Sequence, residues 1–359
     1  MFETNQSALV DTAVLATHTP ALFTEAVART AELLRAGQIV ALPTETVYGL
    51  AANALNPSAV AMVFDVKGRP AHNPVIVHVA GVAMARHCVS QWPKLADKLA
   101  AAFWPGPLTI VLPRAAEIPD IVTASGGTVA VRWSSHPFVQ EVIRACGFPL
   151  AAPSANPAGE LSPTNARHVL KSFSGKIPLI IDGGPAQVGI ESTVLDLSTS
   201  PARVLRPGMI SIESLQSIVE QEKPAANLER SPSSIEPPAP SLAGETLRSP
   251  GQLPKHYSPK AKLVIWNWRD AADLKSQISN LKFQMQKTHV IAHTRVPAAE
   301  GFGRVSVMAR DADAFARAIY AELHRCDEQS AELIVVEAVP EEAAWQGIAD
   351  RLRRAASQA

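Results

Sequence analysis

The sequence predicts an α/β protein of two domains: a larger one on a sheet of mixed strand direction, then a smaller, doubly wound one. Three observations predict this. Helical and strand-like patterns alternate over residues 1–210. Between Pro224 and Pro259 there are eight prolines and no Val, Phe or Trp, so nothing there can build a packed element. Beyond that gap the alternation resumes. The length, 359 residues, also exceeds one ordinary core. The boundaries drawn are 1–215 for the first domain, 216–260 for the linker and 261–359 for the second domain.

Each element has its own justification. "TEAVARTAELLRAG" (24–37) spaces its apolar residues as an amphipathic helix and ends on a glycine. "QIVALP" (38–43) is a short β-branched run, a buried strand. "PSAVAMVFDV" (57–66) opens a helix with Pro57. "PVIVHV", "LTIVLP", "TVAVRW", "PLIIDG", "STVLDL" and "ARVLRPG" read as strands, with helices "PFVQEVIRACG" and "PTNARHVLKSF" between them. Past the linker, "KLVIW", "THVIAH" and "ELIVVEAV" are strands. "DAADLKSQISNLK", "DADAFARAIYAELHRCD" and "EEAAWQGIADRLRRA" are helices. The second domain has neither GxGxxG nor a P-loop, so nothing assigns it a nucleotide.

Composition narrows the function. Basic and acidic residues balance at 33 each, so no overall field draws nucleic acid or membrane. Three scattered cysteines, Cys88, Cys146 and Cys326, form no CxxC, which argues against a disulfide framework or zinc site and fits a reducing cytoplasm. The first residues carry acids but no Lys or Arg and no long apolar run, unlike a signal peptide. No apolar run approaches membrane-spanning length.

The unusual polar residues fall at strand ends and in Gly/Pro-rich turns, where open α/β sheets hold ligands. "LPTETVYGLAANA" (42–54) offers Thr44, Glu45 and Thr46, as a binding loop or a simple cap. "VKGRPAHNP" brackets a glycine with Lys67 and Arg69, a phosphate clamp or two solvated charges near a helix C-terminus. His78 lies inside a strand and could be a satisfied core histidine. Arg132 shares a strand face with Thr128, facing solvent or an anion in a cleft. Ser154 and Asn156 in "AAPSANPAG" are neutral partners for phosphate or ribose, or parts of a capped turn; Pro163 should start a helix after Ser162. Glu191, Ser192 and Thr193 could simply satisfy a turn, and Arg206 could be a surface charge. No GxSxG elbow, HExxH motif or adjacent Ser–His pair is present. The set suits positioning and charge neutralisation in phosphoryl or nucleotidyl transfer.

Taken in order, "LPTETVYGL", "KGRPAHNP", "FWPGPLT", "VAVRWSSHP", "APSANPAGELSPT", "GIESTVLDL" and "VLRPG" closely resemble the YrdC-type threonylcarbamoyl-AMP synthases. Their K-x-R…S-x-N signature matches Lys67, Arg69, Ser154 and Asn156. "PGQLPKHYSP" (250–259) before an α/β domain resembles the longer, two-domain branch. The resemblance implies a YrdC-like twisted mixed sheet with a large concave cavity and a Rossmann-like second domain. It implies synthesis of threonylcarbamoyl-AMP and pyrophosphate from L-threonine, bicarbonate or CO2, and ATP. Mg²⁺ is expected on ATP oxygens, with no protein metal site. The product would pass to the tRNA threonylcarbamoyl transferase machinery, with weak tRNA contact as a further possibility. By resemblance, Lys67, Arg69 and Asn156 are catalytic. Arg69, Asn73, Thr128, Ser154, Ser162, Arg206 and Tyr257 contact ATP; Thr46, His78, Arg132, Ala152 and Ser192 contact threonine. Residues 250–259 would form a lid carrying Tyr257.

Two rivals remain. An RNA-binding translation or ribosome-maturation factor could use the same cavity, but would need basic stretches interleaved with aromatics, and aromatics are only 5% here. A carbamoyl transferase of the hydrogenase-maturation type would need cysteine-rich zinc fingers that three cysteines cannot supply.

Overall fold

The structure, a computed structural model, describes residues 10–220, 235–236, 247–250 and 256–356. The Pro-rich stretch 222–241 therefore lies outside the described residues except for Ile235 and Glu236, as do residues 251–255 of the expected lid.

The first domain contains, in chain order, β1 (Ala13–Ala16), α1 (Pro20–Arg35), β2 (Val40–Leu42), β3 (Gly49–Asn53), α2 (Pro57–Lys67), β4 (Ile76–His78), α3 (Val82–His87), α4 (Lys94–Phe103), β5 (Leu108–Pro113), α5 (Asp120–Thr123), β6 (Thr128–Arg132), α6 (Pro137–Cys146), β7 (Leu150–Ala151), α7 (Ala166–Phe173), β8 (Leu179–Asp182), β9 (Thr193–Asp196), β10 (Arg203–Arg206) and α8 (Ile212–Glu220). Ten strands form one sheet in the order β1-β8-β2-β3-β7-β4-β6-β5-β9-β10. It is mixed, as expected: β4 runs parallel to β6 and β5 to β9, whereas β3, β7 and β10 pair antiparallel.

Strand alternation sends successive side chains to opposite layers. Val40, Leu42 and Ala51 meet Leu34 of α1 and Phe138 and Val142 of α6. Ala41, Leu50 and Ala52 meet Ala59 and Val63 of α2 and Val169 and Phe173 of α7.

The second domain contains β11 (Lys262–Trp266), α9 (Ala271–Asn280), β12 (Thr288–Ala292), β13 (Arg304–Val307), α10 (Ala312–Glu328), β14 (Leu333–Glu337) and α11 (Gln346–Ala356). Its four strands are all parallel, in the order β11-β14-β12-β13. Leu333 and Val335 pack on Leu274 and Ile278 of α9. Ile334 and Val336 face Phe315 and Ile319 of α10 and Leu352 of α11. Helices thus cover both faces, the doubly wound arrangement expected.

The two domains share a core. Val47, Leu161 and Ile190 of the first pack with Tyr257, Phe315, Tyr320 and Leu352. A Cβ on Gly347 would lie 2.6 Å from the Gly208 carbonyl oxygen, so main chain rests on main chain there. Two local readings need correction. β3 forms within the stretch read as a loop, because Gly49–Asn53 pairs with both β2 and β7. The helix expected from Pro163 starts at Ala166, where the Asn165 side chain accepts from the His168 N–H.

Candidate active site

Strand ends and turns of the first domain meet at a cavity closed on one side by Pro250, His256 and Tyr257. It encloses about 40 Å³, room for a few waters. β4 and β6 are parallel neighbours in register at His78 and Arg132, so both side chains arrive at the same carboxyl edge. β10 ends on Arg206, and α2 delivers Lys67 and Arg69. That helix is capped by the Asn56 side chain, with Pro57 in its first turn. Gly68 stops it in the left-handed region at φ +61, which suits glycine and turns the chain before Arg69.

The cavity has two electrostatic halves. In one, Arg132 Nη2 lies 2.7 Å from Glu45 Oε1, both side chains almost fully buried. Nη2 carries two N–H groups, so one remains for a ligand beside the ion pair. Burial works to raise the Glu45 carboxyl pKa, but Arg132 and the Ser134 hydroxyl that donates to it outweigh burial and hold it below the ordinary range. His78 lines the same half with a buried, unpartnered Nδ1. Burial, and then Arg132, push its pKa down to about 3, so the ring is neutral.

In the other half stand Arg69 and Arg206. Arg69 donates to the Asn73 carbonyl (2.9 Å), Asn73 Oδ1 (2.7 Å) and the Pro74 carbonyl (2.5 Å), which fixes the guanidinium plane. Burial lowers its pKa to about 9, leaving it charged at neutral pH. Arg206 donates to the Ser192 carbonyl (3.1 Å) and Ser192 Oγ (3.0 Å). Glu191 borders this half as a buried carboxylate. Burial opposes its charge, but Arg351, Arg206 and Ser162 keep its pKa below the usual range.

Of the residues singled out in the sequence, Thr46, Arg69, His78, Arg132, Ala152, Ser154, Arg206 and Tyr257 line the cavity. Others stand one contact behind. The Lys67 ammonium donates to the carbonyls of Ser154 (2.6 Å) and Asn156, so it braces that turn. Burial, and then Arg69, lower its pKa well below the usual lysine range. Asn156 Nδ2 donates to the carbonyls of Pro157 (3.0 Å) and Glu160 (2.8 Å). Asn73 holds Arg69, Ser192 holds Arg206, and Ser162 Oγ donates to Glu191 Oε1 at 2.5 Å. Thr128 is not brought to the wall. It pairs with Pro113 at the far end of β6, four residues and roughly 13 Å from Arg132; sharing a strand face did not mean sharing an end.

The sequence does not reveal the partners of the two carboxylates. Glu45 fits a binding loop or a cap and Glu191 a turn, because Arg132 and Arg351, their cationic partners, are remote in sequence. No spacing rule reaches that far.

Comparison with known proteins bears on the family and the fold. The Sua5–YciO–YrdC family model, described as "Telomere recombination", matches residues 32–208. A model described as "Threonylcarbamoyl-AMP synthase, C-terminal domain" matches residues 210–357. The threonylcarbamoyl-AMP synthase of Pyrococcus abyssi is 37% identical over 90% of this chain and 92% of its own length. That of Bacillus subtilis is 35% identical over 92% of each. The crystal structure of P. abyssi Sua5 complexed with L-threonine superposes with a TM-score of 0.81, at 32% identity, over 96% of this chain and 97% of that one. The chain belongs to the threonylcarbamoyl-AMP synthase family, in its two-domain form.

Proposed function

We propose that this chain converts L-threonine, bicarbonate or CO2, and ATP into threonylcarbamoyl-AMP and pyrophosphate. The observation that carries the reading is the pairing of two anion-binding halves in one cavity: Arg132 with neutral His78, and Arg69 with Arg206. The first half suits an amino-acid carboxylate with a neutral acceptor beside it; the second suits a polyphosphate.

The neutral threonine amine adds to CO2, forming the N–C bond, and gives up a proton to solvent to leave a carbamate. A carbamate oxygen attacks the α-phosphorus, the bond to the β-phosphate oxygen breaks, and pyrophosphate leaves. Arg132 would hold the carboxylate and so aim the amine. Arg69 and Arg206, the latter steadied by Ser192, would face the charge gathering on the leaving pyrophosphate. Lys67 and Asn156 shape the turn that presents Ser154, and ordering both substrates supplies much of the rate. Tyr257 and His256 would keep water from the mixed anhydride.

Mg²⁺ would enter on the phosphate oxygens. Glu191, which borders the cavity, and Glu45, behind Arg132, are engaged by Arg351 and Arg132, so these residues do not offer it a ligand set and no step depends on one. The product would serve the tRNA threonylcarbamoyl transferase machinery in the cytoplasm. Three free cysteines support that compartment; among the described residues no helix is long and apolar enough to cross a membrane. The test is pyrophosphate release from ATP, expected to require both L-threonine and bicarbonate. Release indifferent to threonine would sink the reading.

A further inference from the structure

We infer that Arg351, on the last helix of the second domain, is a positioning residue for the nucleotide half of the site, setting the charge and placement of Glu191 and Tyr257. This rests on the proposed reading that ATP occupies that half.

Arg351 is 1% exposed although it belongs to a helix of the other domain. Its Nε donates to Glu191 Oε2 at 2.6 Å and its Nη2 to the Glu191 carbonyl at 3.2 Å. Nη1 donates to the Pro207 carbonyl at 2.8 Å, one residue beyond Arg206. The guanidinium carbon stands 5.2 Å from the centre of the Tyr257 ring. One side chain therefore touches the turn before β9, the residue after Arg206, and the aromatic closing the cavity. Glu191 accepts in turn from Ser162 Oγ and, at 3.2 Å, from the Tyr320 hydroxyl of the same second domain.

The chemistry explains why this matters. Glu191 borders the space a polyphosphate would fill, and a bare carboxylate there would repel it. Its main neutralising partner comes from the second domain. Asp350 Oδ2 also binds Arg351, at 2.8 Å, which sets the guanidinium from its outer side. The second domain so contributes an electrostatic condition for nucleotide binding without facing the nucleotide itself.

The experiment uses the full chain and measures ATP and threonine affinity separately by calorimetry, with thermal melts as a folding control. Arg351→Met should weaken ATP by about tenfold or more, the worth of a charged hydrogen bond, and leave threonine within about twofold. Arg351→Lys should fall between it and the wild type. The double variant Glu191→Gln with Arg351→Met removes the orphaned charge and should regain most of the lost ATP affinity. Equal losses for both ligands, unchanged ATP affinity, or a double variant no better than the single would overturn the inference. Should Arg351→Met fail to fold, Arg351→Lys carries the same comparison, with selective loss of ATP expected and equal loss overturning it. A wild type that binds ATP but lacks threonine-dependent pyrophosphate release would sink the functional reading alone. A wild type that binds no ATP would overturn both.

Discussion

Arg132 answers two demands at once. It pairs with a buried carboxylate, and it must keep a donor for a ligand. Glu45 Oε1 takes one contact from Nη2, and the second N–H of that nitrogen remains for the ligand. The Ser134 hydroxyl donates to the other carboxylate oxygen, Oε2, and so holds Glu45 in place. Arg132→Lys should therefore raise the threonine KM by roughly ten- to a hundredfold, the worth of about 1.5–3 kcal/mol for a charged hydrogen bond. The ATP KM should stay within about threefold. Steady-state titration of each substrate checks this; an equal rise in both would show that the arginine holds the cavity together rather than one ligand in it. Tyr257→Ala tests the other half. It should shorten the lifetime of the product in the site and raise the ATP KM, read by product chromatography beside pyrophosphate release.

At the level of elements, α7 and α10 meet through two histidine rings. His168 and His324 stack with centroids 3.8 Å apart, and His324 Nε2 lies 3.1 Å from the Ser162 carbonyl. Arg167 and Lys171 from α7 and Glu328 from α10 flank the pair. Burial, and then each other's charge and the nearby cations, lower His168 to about 3; burial chiefly lowers His324 to about 4. Both stay neutral when folded, whereas an unfolded chain protonates them near 6.5. The unfolded state then binds more protons between pH 6.5 and 4, so this contribution is complete above pH 6.5 and shrinks as pH falls through that window. His168→Gln should make the thermal midpoint fall less between pH 7 and pH 5 than it does in the wild type. An unchanged slope in parallel melts would assign the pH response to other buried groups.

The elements also mark where the sequence was readable. Strands such as Leu108–Pro113 and Lys262–Trp266 announce themselves because they are continuous apolar runs between turn residues. Ala13–Ala16, Gly49–Asn53 and Arg304–Val307 do not. Two are half-exposed edge strands, and the third is built of Gly, Ala and Asn around a single Leu50, which only pairing with neighbours makes extended. The site divides the same way. Arginines inside strand patterns stand out against their apolar neighbours. A carboxylate whose partner is more than a hundred residues away, like Glu191, looks like any turn residue.

For the whole molecule, the shared core turns two domains into one working unit. Tyr257 packs with Tyr320 and Leu352 of the second domain while lining the cavity of the first. Truncation near residue 215 removes Tyr257, Tyr320 and Arg351 together and exposes Val47, Leu161 and Ile190. The shortened chain should lose ATP affinity before it loses its fold, checked by calorimetry beside circular dichroism. Retained ATP affinity would mean the second domain has no part in the nucleotide site.

The contact between Gly208 and Gly347 sets a rule for anyone recombining these halves. Main chain meets main chain there, and a Cβ on Gly347 would come within 2.6 to 2.9 Å of three Gly208 backbone atoms. Trimming a neighbouring side chain cannot make room, because there is none to trim. A chimera joining this first domain to a related second domain should assemble only if the graft brings a glycine to that position, so compatibility between donor and acceptor can be screened there from sequence before any gene is made.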